Sequence, residues 1–357
     1  MKFYSVMQMN TITCKHLIKT ASTKKEKQIY QCAFILKNLL CTLFAIIFVI
    51  LLNYFFGAAN SVAAVAIFCA LLTLRFVDFG YKIHSSIFSL FLIFCIMTLA
   101  PYFVHQTGIF AALIINIISI LSIVILTCHN PLYGNHSIFV FDYLLIQGTP
   151  VFGHDFILRI EEMFVGFLIC TVIFFIKSRK RTFKRGLKDV IKEFSITSSR
   201  SQWQLRLSLG VSLALMLGEL LHLPRTMWLG FSSLCVLQPF QTDAKTRFQL
   251  RIPFIIIGSI LFGILYSISP THIRSIFGIL AGIVVGFCAT FQWTTIINCF
   301  GGLLTASSIY GLIPAILFRI INNIIGCSFA YFFHIVFQKS IHLILERDSK
   351  FTTRVQR

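Results

Sequence analysis

A chain of 357 residues that is 57% hydrophobic and 12% charged, with a mean hydropathy of +0.85, has too few polar groups to cover itself in water, since soluble domains run at ~45–50% apolar and ~25% charged. That excludes a water-soluble enzyme and makes lipid the expected solvent. The formal net charge of +19 suits either nucleic acid or an anionic membrane face, and where the basic residues stand decides between the two.

Taken in chain order, residues 1–33 hold Lys2, Lys15, Lys19, Lys24, Lys25 and Lys27 and no long apolar run. They read as a basic N-tail and not as a signal peptide, which would need an apolar core of its own. Five apolar stretches follow: Leu39–Phe56, Ser61–Leu74, Ile87–Val104, Ile109–Thr127 and Ile160–Ile176. A sixth, Ser137–Gln147, is short and contains Asp142. Residues 177–205 form a densely basic linker, from Lys177 to Arg200. There Phe183, Leu187, Val190, Ile191 and Phe194 recur at roughly helical spacing, as in an amphipathic helix lying on anionic lipid. The plainer reading is a solvated linker that only fixes topology. The second half offers Leu207–Leu223, Met227–Leu237, Ile252–Ile268, Ile273–Phe291 and Leu312–Phe337, with a doubtful Thr294–Ser308 around Gly301-Gly302. Residues 338–357 close the chain as a basic C-tail with Lys339, Arg347, Lys350, Arg354 and Arg357.

Basic residues concentrated in both tails and the central linker put all three on the cytoplasmic side by the positive-inside rule, and they argue against nucleic acid as the partner. Each half then crosses the membrane an even number of times. The pairs Lys37/Arg206, Lys82/Arg251 and Pro101/Pro270 recur at one constant offset, and Arg159/Arg319 and Gly166/Gly326 at a second, shorter one. The expected fold class is therefore all-α and polytopic: two same-orientation repeats of about six transmembrane helices each, ten to twelve spans in total, over residues 34–176 and 206–337. Membrane lipid is the expected partner, and a homo-oligomer is compatible with the sequence.

Of the 11 Cys, most stand singly in apolar runs and none forms a C-x-x-C pair, so no metal site or disulfide framework is expected. No phosphate loop, nucleophile elbow or zinc-protease motif is present. No cofactor follows, and no catalytic residue.

Ionisable groups within membrane spans mark pathways by default. Arg319, Asn322, Asn323 and Gly326 share one helix face, and Arg159, Glu162 and Gly166 share the equivalent face in the first half. Each face suits either an anion-attracting vestibule or an arginine snorkelling to headgroups and paired locally. Glu219 stands roughly 20 Å along its helix from Arg206 at ~1.5 Å per residue. It either carries a proton or faces the interface beside His222. Trp228 reads as an interfacial anchor, and the short stretch from it to Gln238-Pro239 as a candidate broken helix near a binding site. Arg251 reads either as a positive-inside anchor or as a basic gate.

The order of these features resembles the fusaric acid resistance-like, aromatic acid exporter membrane family. The features are the basic-initiated Leu205–Leu223 span, Trp228 entering the next, Gln238-Pro239 closing it, Arg247 and Arg251 leading the third, and Arg319 with Gly326 in the last. The resemblance covers residues 204–337 directly. It implies a bacterial inner-membrane efflux component for small organic, often aromatic, acid anions. Two positions depart from the pattern: Phe254-Ile255 stands where the family usually has Gly-Thr, and Asn322-Asn323 where it often has Asp-Thr. The second departure removes a carboxyl from the last span and leaves Glu162 or Glu219 for proton coupling. The expected function is efflux of small organic anions, with a non-transporting scaffold acting through the basic linker and a passive anion channel as the alternatives.

Overall fold

The computed structural model describes residues 3–131 and 134–355, with side chains described except at 241–243 and 344–355. Lys2 and Arg357 of the two basic tails lie outside the described residues. The chain is all-α, and no strand forms among the described residues. The helices are α1 Phe3–Met7, α2 Thr11–Thr20, α3 Lys24–Phe56, α4 Ser61–Leu74, α5 Ile83–Gln106, α6 Ile109–Thr127, α7 His136–Gln147 and α8 His154–Ser178. After the linker helix α9 Leu187–Lys192 come α10 Ser199–Leu220, α11 Met227–Val236, α12 Gln241–Ile268, α13 Thr271–Arg274, α14 Phe277–Phe287, α15 Phe291–Tyr310 and α16 Leu312–Val355.

Five helices are long and apolar enough to cross a membrane: Lys24–Phe56, Ile83–Gln106, Ile109–Thr127, Ala244–Ile268 and Leu312–Leu343. This is a multi-pass membrane protein. Lipid contact fits the exposed apolar side chains of α3, where Leu43, Ile47, Ile50 and Leu51 are each more than half exposed. In water such a surface would aggregate.

The expected twelve-span, two-repeat architecture is overturned. Several of its spans are too short: α4 has 14 residues, α7 has 12, α11 has 10 and α14 has 11. At ~1.5 Å per residue these reach about 15–21 Å, short of a ~30 Å hydrocarbon core. Helices α8, α10 and α15 have the length but carry too much polarity, as with Arg159, Glu161 and Glu162 in α8. The paired anchors also take unlike positions. Lys82 caps the start of α5, whereas Arg251 lies within α12. Pro101 lies inside α5, whereas Pro270 caps α13. Nor do the compact units follow the halves of the chain. One comprises Met1–Phe48 and Gln249–Ile321, the other Val49–Phe248 and Asn322–Arg357.

In the first unit the N-terminal helices fold back. Asn10 caps α2 through Thr13 N–H at 2.8 Å. Val6, Cys14, Tyr30, Ala33 and Phe34 form a buried cluster, and Phe34 meets Phe287 edge-on at 5.2 Å. Thr11 Oγ1 donates to Gly286 O at 3.0 Å.

In the second unit α6 pairs with α10, and α5 packs against α6, α7 and α8. Helix α7 touches α4, α5, α6 and α11 and buries His136, Phe139, Val140, Asp142, Tyr143, Leu144, Ile146 and Gln147. A short helix covered on most sides needs no membrane-spanning length, which explains its 12 residues.

The linker also differs from a single interfacial helix. Between the end of α8 at Ser178 and the start of α10 at Ser199 only the six residues of α9 are helical, and ion pairs hold the segment in place. Arg181 pairs with Asp78. Glu193 lies 3.4 Å from Arg185, 3.4 Å from Arg200 and 3.8 Å from His129. Lys82 N–H donates to Arg185 O at 2.9 Å. Burial first, then the neighbouring Arg200 guanidinium, holds the His129 pKa below its usual value, with Glu193 opposing. The folded linker therefore binds fewer protons than the unfolded one below ~6.5, and its docking weakens as pH falls through that value. Limited trypsin cleavage within residues 179–200 should be faster at pH 5.5 than at pH 7.5 by more than free peptide controls explain. Glu193→Ala should speed cleavage at both, with a global stability change of about 1 kcal/mol or less, as partly exposed ion pairs give.

Candidate functional site

Within the second unit, α10 carries a polar-lined cavity near each end. Toward its N-terminal end, Ser199, Gln202, Trp203 and Arg206 face Pro239 and the α16 residues Phe337, Gln338, Ile341 and His342 around about 390 Å³. Arg206 is 3% exposed. Its Nη2 donates to Gln238 O at 2.7 Å, while its Nε has no hydrogen-bond partner. Trp203 is held by Nε1 donating to Leu237 O at 3.1 Å. Both bonds end on carbonyls at the C-terminus of α11, which Pro239 stops from continuing as helix; that leaves those carbonyls free to accept.

Toward the other end of α10, Leu215, Met216 and Glu219 line a cavity of about 190 Å³ with His105, Thr107, Asn116 and Gln147. Its polar wall is cross-linked. His105 Nε2 lies 2.7 Å from Gln147 O, and Tyr143 Oη donates to Asn116 Oδ1 at 2.7 Å. Gln147 Oε1 is buried without a partner. Glu219 accepts from Thr226 Oγ1 at 3.2 Å and is exposed. Between the two cavities, Ser208 and Ser212 of α10 are fully buried, and Ser212 Oγ has no partner.

The other sequence-derived candidates divide. Arg159 is fixed in place: Nε donates to Asn60 Oδ1 at 2.9 Å, Nη1 to Thr149 O at 2.8 Å and Nη2 to Ala59 O at 3.5 Å. Glu162 is fully buried with both carboxylate oxygens unpartnered, as is Asp142 in α7. Asn322 Nδ2 donates to Pro224 O at 2.6 Å, and Asn323 Oδ1 accepts from Ser232 Oγ at 2.6 Å. These amides tie α16 to α11 and its preceding loop, a packing task. Trp228 is 1% exposed, so it belongs to the core and not to an interfacial belt. Gln238 reaches Leu234 O at 2.7 Å through Nε2 and offers its own carbonyl to Arg206. Arg251 and Arg319 fall in the first unit, within electrostatic range of each other and beside Cys299.

Sequence reasoning missed Arg206, His105, Asn116, Gln147 and Asp142 as site residues. The residue before a span reads as an anchor, yet α10 begins at Ser199 and places Arg206 inside the helix. Among the described residues no group of three His, Cys, Asp or Glu side chains is placed to hold a metal.

No curated protein and no solved structure matches the chain. Residues 213–333, from α10 into α16, match the family model described as Fusaric acid resistance protein-like. The match takes in Glu219, Trp228, Gln238, Arg251, Arg319, Asn322 and Asn323, and this all-α, multi-pass membrane chain is similar to that family over this stretch.

Proposed function

We propose that the chain exports small organic anions across a membrane. The observation behind this reading is the pair of polar cavities at the two ends of α10, one beside a buried cation and the other beside a carboxylate, in a protein with five helices long and apolar enough to cross a membrane. In hydrocarbon such groups are retained where they serve a path. The basic linker precedes α10 directly, so the Arg206 end lies where a cytoplasmic anion would collect by charge attraction. Passage outward requires a rearrangement around α10 that joins the cavities in turn, as in alternating access. Glu219 at the far cavity and the unpartnered Glu162 are the carboxyls available to exchange a proton against the anion. Arg251 and Arg319 offer a second cationic pair for the same class of substrate. The bacterial inner membrane, with both tails and the linker cytoplasmic, is the setting this reading implies.

A scaffold acting through its basic linker is the weaker reading, because Arg181, Arg185 and Arg200 are occupied by Asp78, Glu193 and His129 of the same chain. Proteoliposomes loaded with labelled benzoate and related anions test the proposal. Protein-dependent efflux should accelerate under a proton gradient, and Glu219→Gln should slow it about a hundredfold, the lower end of the range lost with a proton-transferring group. Conduction without any gradient identifies a channel instead. No movement of any anion in a broad panel overturns transport.

A further inference from the structure

Arg206 presents a buried charge without a counter-ion among the described residues. Among the described residues its hydrogen bond is to the neutral Gln238 carbonyl, no acidic side chain pairs with it, and its Nε has no partner. Removing a guanidinium from water is costly unless charge and hydrogen bonds are both met. The cavity beside it has the volume of a small-molecule site. Among the described residues, no Asp or Glu lines it.

We infer that this cavity binds a small organic monocarboxylate, the carboxylate on Arg206 and the apolar body between Trp203 and Phe337. The planar guanidinium fork matches the two oxygens of a carboxylate. One buried cation is balanced by one negative charge, which a monocarboxylate supplies. Trp203 and Phe337 supply the surface that an aromatic or alicyclic body would bury. Ser199 and Gln202 stand at the same wall as neutral hydrogen-bonding groups. This site rests on the export reading only for its place at the entrance of a path; as a binding site it stands or falls alone.

The test is equilibrium binding of labelled benzoate to the purified full chain in detergent. Saturable binding is expected, displaced by cyclohexanecarboxylate but not by benzamide, inorganic phosphate or phosphatidylglycerol. Arg206→Gln should weaken binding by at least about tenfold, the loss of a charge-assisted pair of hydrogen bonds. Arg206→Lys, which keeps the charge without the fork, should weaken it less. Gln202→Trp, which fills the cavity without touching the Gln238 bond, should abolish binding while the protein elutes as a single folded species. If Arg206→Gln fails to fold, Gln202→Trp decides the question. Absence of saturable binding, equal displacement by benzamide, displacement by phosphatidylglycerol (a lipid headgroup site) or unchanged binding in Gln202→Trp overturns the proposal. Benzoate efflux from proteoliposomes without binding at this cavity would sink the site and leave transport standing. Binding without efflux of any anion would do the reverse.

Discussion

Replacing Arg159 with Ala should destabilise the chain by roughly 2–5 kcal/mol, the range for stripping the donor from several buried acceptors. The guanidinium, 2% exposed, is the shared donor for Asn60 Oδ1, Thr149 O and Ala59 O. Asn60 is itself fixed by donating to Phe56 O and Asp155 O, each at 3.0 Å. One side chain thus joins the turn before α4, the loop after α7 and the start of α8. Water cannot replace it, since Asn60 is fully buried. Arg159→Lys should recover little, because an ammonium cannot reach three acceptors spread around a planar fork. Thermal unfolding of the detergent-solubilised protein reads this directly. A variant that keeps its transition temperature but loses anion efflux would move Arg159 from structure to pathway.

Gly326→Val should be the most damaging small substitution in α16. A Cβ at this position would stand 2.9 Å from both Cα and O of Leu229 and 2.9 Å from Ser232 Cβ. Two of these atoms are backbone, so α11 must move as a unit. Overpacking of this kind costs about 1–3 kcal/mol, more when backbone has to shift. The shift would also break the Ser232 to Asn323 hydrogen bond and the Ser233 Oγ contact with Gly326 O at 3.3 Å. Gly301→Ala is the matched control: nothing lies within 4 Å of its Cβ, and removing a helix-interior glycine should be neutral or stabilising by up to about 1 kcal/mol. Equal transition temperatures for the two variants would show that the α11–α16 seam is looser than its geometry.

Several elements were legible before any fold was known. The Ile109–Thr127 stretch is α6, and Ser61–Leu74 is α4, at the same bounds. Ile87–Val104 lies within α5. In each case a continuous apolar run is bounded by Gly, Asn or a basic residue, a strong local signal. The candidate site was half legible. Glu219, which lines one cavity, and Gln238, whose carbonyl holds Arg206 at the other, stood out in the sequence because a lone carboxyl and a Gln-Pro pair contrast with apolar neighbours. Arg206 was visible but misread. A basic residue leading an apolar run has the same local signature whether it faces headgroups or a cavity.

Composition and the length of the apolar runs by themselves pointed to lipid as the solvent, to an all-α chain, and to polar residues that would be few and consequential. These properties add up residue by residue, so no partner element is needed to read them. The tertiary structure alone decided that α7 and α11 are short covered helices, that Arg159 is tied down while Arg206 faces a cavity without a counter-ion among the described residues, and that matched spacings do not make matched halves. Burial and hydrogen-bond partners come from segments distant in sequence, such as Arg159 with Asn60 and Arg206 with Gln238, and spacing along the chain carries no record of which segments meet.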